Sequence, residues 1–154
     1  MTQGPGFFIS PDGDLIPIAS SHIRTVADDP ERFGVTTRDI ESTYRKHGEK
    51  PGLEGRARDE ILRKVMSTGW IRIRRYTNRY WSVQTGTVTG KTKNLITRWA
   101  RDMLAGTHGY KEPDPHMRVK ITSLDNGSTY DTSIESLAQC LIHPVDSSKP
   151  MPRG

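Results

Sequence analysis

Guanidinium groups and phenol rings are interleaved along one stretch of this chain, Trp70-Ile-Arg-Ile-Arg-Arg-Tyr-Thr-Asn-Arg-Tyr-Trp-Ser-Val-Gln84. Guanidinium neutralises phosphate oxygens and releases counterions, while a tyrosine ring offers a flat face to an unstacked base or packs against a sugar. Arg72, Arg74, Arg75 and Arg79 with Tyr76 and Tyr80 put both chemistries on one ribbon. Read as strand, turn and strand, a period of two sends Ile71 and Ile73 to one face with Trp81 and Val83. Arg72 and Arg74 then face the other way with Tyr80 and Ser82, and Arg75, Tyr76, Asn78 and Arg79 make the tip. Other cations extend the candidate set for phosphate contact: Arg56, Arg63 and Lys64 on the helix before the ribbon, Lys91 and Lys93 after it. The bland counterpart is a solvated strand face, on which arginine blocks edge pairing and meets acids such as Asp59 and Glu60.

Two further patterns bear on chemistry. Gly86-Thr-Val-Thr-Gly-Lys-Thr92 stands between a strand and a helix, the context of a phosphate-binding loop. It has one residue too few between its glycines for a Walker A loop, and no apolar strand ending in Asp follows, so a turn and helix cap is the expectation. His22, His47, Glu49, Glu54 and Arg58 form a set capable of general acid/base or phosphodiester chemistry if they converge. Otherwise His47 is a cation at a helix C-terminus and His22 a surface residue of a short helix. No histidine pair stands at metal-ligand spacing, and the sequence calls for neither a cofactor nor a catalytic role. Trp70, Trp81 and Trp99 fall on apolar faces and are expected in the core.

Charge concentrates where the ribbon lies. Residues 35–105 hold sixteen Lys and Arg against seven acids, net +9, whereas residues 1–34 have two against five and residues 106–154 five against six. A basic module between mildly acidic ends calls for a polyanionic partner, DNA or RNA. At 154 residues with 32% hydrophobic content and a mean hydropathy of −0.68, the chain predicts a modest core with polar, loop-rich ends. A single cysteine, Cys140, excludes an internal disulfide and a Cys-rich zinc site. No apolar run approaches the ~20 residues that span a bilayer, and the N-terminus has no signal-peptide pattern. A soluble protein of the cytoplasm, with no membrane partner, is the expectation.

The elements that must position these groups are expected in an α+β arrangement of four segments. In residues 1–34, strands at Phe7–Ser10 and Leu15–Ile18 flank Pro11-Asp-Gly-Asp14, Pro17 marks an edge, and Ser20 and Ser21 cap a short helix to about Val26 before a connector. Residues 35–106 make the basic core. Thr36 and Asp39 form a capping box for a helix ending at Gly48, a second helix runs from about Leu53 to Thr68, then the ribbon, then a third helix from about Thr92 to Ala105. Residues 107–144 carry a hairpin around Asn126-Gly127 and a helix from about Ser133 to Ile142, with Thr132 and Glu135 at capping-box spacing. A mobile tail, 145–154, ends the chain.

Helix, turn, helix and two-stranded ribbon is the order of a winged helix, and residues 35–84 resemble a winged helix-turn-helix by topology. The resemblance implies a three-helix core in which the 53–68 helix is the recognition helix and Arg75–Arg79 the wing. The chain departs from the pattern in lacking a helix directly before Val35 and in its polar loop from Gly48 to Gly52. Glu54-Gly-Arg-Ala-Arg58 followed by Gly69-Trp-Ile-Arg-Ile-Arg74 also resembles a group of small uncharacterised proteins of tailed bacteriophages, which implies a phage or bacterial source. The function expected is non-enzymatic nucleic-acid binding. The alternatives are a protein-interaction role, as a virion component or an inhibitor of a host nucleic-acid enzyme, and a nucleic-acid-processing enzyme.

Overall fold

Apolar residues alternating with polar ones build a single mixed sheet in a computed structural model that describes residues 6–18, 20–77, 80–106 and 116–139. Gly6–Ile9 (β1) and Leu15–Pro17 (β2) form the first hairpin, with Gly13 at φ 95 in its turn. Ile71–Thr77 (β3) and Tyr80–Thr85 (β4) are the Arg/Tyr ribbon, and Arg118–Ser123 (β5) and Thr129–Ser133 (β6) the last hairpin. The order across the sheet is β2-β1-β3-β4-β5-β6, all antiparallel except the parallel pair β4–β5. A parallel neighbour needs a crossover, and Gly90–Leu104 (α4) makes it. The fold is α+β, as expected, with β2 and its Pro17 at an edge.

Each face of the sheet carries its own core. On one, Phe7, Ile9, Ile71, Ile73, Trp81, Val83, Val119 and Ile121 pack beneath α4 and the short helix Ile134–Gln139 (α5). Trp81 is fully buried, stacked on Phe7 at 6.0 Å and edge-on to Trp99 at 5.6 Å. On the other face, Phe8 and Trp70 meet His22–Asp28 (α1), Thr37–His47 (α2) and Arg56–Ser67 (α3). The three expected core tryptophans are all buried. Among the described residues no helix is long and apolar enough to cross a membrane.

Several expectations need correction. The three helices of residues 35–106 do not share one core: α2 and α3 lie on one side of the sheet and α4 on the other, because β1 and β5 flank the ribbon and turn it into the middle of a sheet. The second helix starts at Arg56 instead of Leu53, since Glu49 caps its free amides, accepting from Ala57 N at 2.8 Å and Arg56 N at 3.2 Å. Leu53 is left exposed. The third helix starts two residues early because Thr89 Oγ1 accepts from Thr92 N. The Asp28–Gly34 connector contains a 3-10 turn, Pro30–Phe33, that drives Phe33 into the core 4.2 Å from the Trp70 ring. At α5 the cap is Ser133, the last residue of β6, whose Oγ accepts from Ser136 N at 3.1 Å, while Thr132 is buried opposite Val119. The remainder of the expected last helix and the 145–154 tail lie outside the described residues.

Candidate nucleic-acid interface

Directly paired residues project from the same face of a sheet, so the register assembles the candidate site. Three rows cross β3, β4 and β5 on the face that holds Phe8. They are Arg72, Gln84 and Thr122, then Arg74, Ser82 and Lys120, then Tyr80 and Arg118 with Tyr76 beside them. The rings of Tyr76 and Tyr80 stack at 5.6 Å and 20°, and the Arg74 guanidinium lies 5.0 Å from the Tyr76 centroid. Tyr76 is thus contacted by both of the other groups, and it remains 51% exposed. A register shift between Arg75 and Thr77 lets Tyr76 reach Tyr80.

Helices α1 to α3 pack on this face over β1 and the start of β3, where Phe8, Ile18 and Trp70 supply the apolar contacts, and α3 reaches the end of β4 at Gly86, with Leu124 after β5 packed on the same core. Over β5 the side chains alternate, Val119 and Ile121 buried on the far side, Arg118, Lys120 and Thr122 exposed or half-buried here, the pattern of a sheet face turned to water. Arg74, Arg118 and Lys120 are exposed or half-buried there with Asp131, which stands opposite Lys120 on β6, whereas Arg72 and Ser82 of the same face are buried.

Arg72 departs from its expected solvated position. It is 5% exposed, its Nη1 donates to Gln84 Oε1 at 3.0 Å, and its Nε is buried without a hydrogen-bond partner among the described residues. Burial, then the charges of Arg74 and Arg58, lower its pKa to about 10, so it stays protonated at neutral pH. Arg58 is held by Glu54 at 2.9 Å and Asp59 at 2.8 Å.

The other candidates are dispersed. Arg75 is not at the tip: it lies within β3 on the opposite face, 5.6 Å from the Trp81 ring. Arg56, Arg63 and Lys64 are exposed on α3, with Lys64 3.4 Å from Asp39. Lys91 and Lys93 begin α4 across the sheet, where Lys93 lines a cavity of about 180 Å³ with Val88, Ile96, Ile121 and Tyr130. Arg79 lies outside the described residues. Asp59 and Glu60 do not pair along their own helix with Arg63 and Lys64. Glu60 instead receives His47 at 2.9 Å and Lys46 at 3.1 Å from α2, since α2 packs along that flank of α3.

The acid/base set is taken up by structural tasks. Glu49 caps α3, Glu54 holds Arg58, and His47 meets Glu60. His22 is buried, not at the surface, with its ring edge-on to Phe8 at 5.2 Å. The Gly86–Thr92 segment is a turn and cap. Among the described residues no three His, Cys, Asp or Glu side chains gather as a metal site requires.

Sequence inspection missed Arg118, Lys120 and Gln84. The alternation of β5 was readable, but its place beside β4 depends on a parallel crossover that no local signal announces. Comparison of the chain with protein-family models, with curated proteins and with solved structures found no match.

Proposed function

We propose that this chain binds nucleic acid and does no covalent chemistry on it. The observation that carries the proposal is the Arg74, Tyr76 and Tyr80 stack lying beside Lys120 and Arg118 on one open sheet face. Guanidinium and ammonium groups attract phosphates, and the rings take base or sugar faces, so neither contact depends on base identity. The order α2, α3, β3 and β4 is also that of a winged helix, and α3 presents Arg56, Arg63 and Lys64 to solvent as the contact helix that such a module would use.

Charge reversal tests the proposal. Arg74→Glu removes a cation and its stack on Tyr76 from a half-exposed position. Fluorescence anisotropy with mixed-sequence oligonucleotides at low salt is expected to show binding by the natural chain and a loss of about tenfold or more in the variant, with thermal unfolding nearly unchanged. Absence of binding to any oligonucleotide would end the proposal in favour of a protein partner.

A further inference from the structure

We infer that the ligand is a single strand, DNA or RNA, laid across β3, β4 and β5, with a phosphate seated among Arg72, Arg74 and Lys120 and a base stacked at Tyr76. This rests on the nucleic-acid proposal above and sharpens it.

The first observation is the exposed ring stack. In a duplex the base faces are occupied by their neighbours, so an aromatic rim contributes little there. In a single strand every base offers a free face to the exposed Tyr76–Tyr80 pair, where it can take the place Arg74 holds against the Tyr76 ring. A broad polar sheet face with aromatic groups is a surface on which unstacked bases can splay, whereas a helix is the element that fits a duplex groove.

The second observation is Arg72, and it is independent of the first. A cation 5% exposed normally meets a carboxylate; Arg72 meets the neutral Gln84 amide and keeps a buried Nε with no acceptor among the described residues. Its side chain reaches toward β4, since Nη1 donates to Gln84, which stands directly opposite it. Arg74 bears on it with like charge, as does Arg58, whose own charge is met by Glu54 and Asp59. Such a cluster costs stability when empty and is relieved by an anionic oxygen. A phosphate held by the half-exposed Arg74 and Lys120 brings that negative charge beside the buried Arg72, and Arg118 continues the cationic track across β5.

Labelled strands of about ten nucleotides, a length that single-strand sites cover, are compared as DNA, as RNA and as the annealed duplex, at equal salt. The expected result is single-strand binding about tenfold or more tighter than duplex binding, and either sugar supports the inference. Tyr76→Ala is expected to weaken the single strand by about five- to 150-fold, the range of one lost stack, and Tyr76→Phe to restore it. Arg118→Glu with Lys120→Glu is expected to weaken it more than Arg63→Glu with Lys64→Glu on α3. Arg72→Met separates ligand seat from scaffold: affinity falls while Tm holds or rises, because a structural cation would lower Tm when removed. Duplex preferred over single strand, with the α3 pair as the damaging one, overturns the inference and leaves nucleic-acid binding standing through α3. No binding to any strand removes both.

Discussion

Glu49 ties the loop after α2 to the first turn of α3. It stands two positions after His47, as if for acid/base chemistry, yet its carboxylate accepts the first amides of α3, where Gly55 at the N-cap has no side chain to offer. Those amide hydrogen bonds, Ala57 first, hold its pKa below the usual glutamate range. Glu60 is lowered as well, by His47 and then Lys46, and Asp39 by the Thr36 amide. A carboxylate lowered in the folded state stabilises above its unfolded pKa, and the contribution is lost as pH falls through the folded value. Glu49→Gln is therefore expected to lower Tm at pH 7, with the gap to the natural chain closing as the solution is acidified through and below the glutamate range. A gap that persists unchanged in acid would assign the effect to shape instead of charge. Gly6 belongs to this scale too: at φ 136, a Cβ there would lie 1.8 Å from Ile73 O, so Gly6→Ala must break the β1–β3 ladder locally.

At the scale of elements, what was legible in sequence was local and what was not was long-range. The Thr36/Asp39 capping box, the Ser21 cap of α1, both outer turns and the facing of Ile71, Ile73, Trp81 and Val83 follow from signals within a few residues, and all stand in the structure. Arg72 looked solvated because period two says which face a side chain takes and nothing of what covers that face. Helix α3, at the other end of a loop, decides that. The joint between α3 and β4 is a backbone contact: Gly86 lies so close that a Cβ there would come 2.8 Å from Met66 O. Gly86→Ala is expected to push α3 off the sheet and cost about 1 to 3 kcal/mol in urea unfolding. Trp81→Ala opens the opposite core between Phe7 and Trp99 and is expected to cost about 3 to 5 kcal/mol. A smaller Trp81 loss than Gly86 loss would mean the α4 side of the sheet is the looser of the two.

At the scale of the whole molecule, two cores on a shared sheet leave one broad polar surface over β4, β5 and β6. Charge is arranged unevenly around it. The net +9 of residues 35–105 spreads over both sides of the sheet, with Arg75, Lys91 and Lys93 on the α4 side and Arg72 and Arg74 on the other. Arg118 and Lys120 come to the second group from the acidic C-terminal third of the sequence, so net charge by segment understated this face. Long-range attraction then comes from the entire chain, whereas tight contact is confined to three or four cations on two strands, β3 and β5. The salt dependence of binding counts those contacts. For a mixed-sequence single strand, the log of the association constant against log salt is expected to fall with a slope of about −2 to −3, since each neutralised phosphate contributes about 0.7. A flat response, or a slope unmoved by Arg118→Glu with Lys120→Glu, would contradict binding through this face.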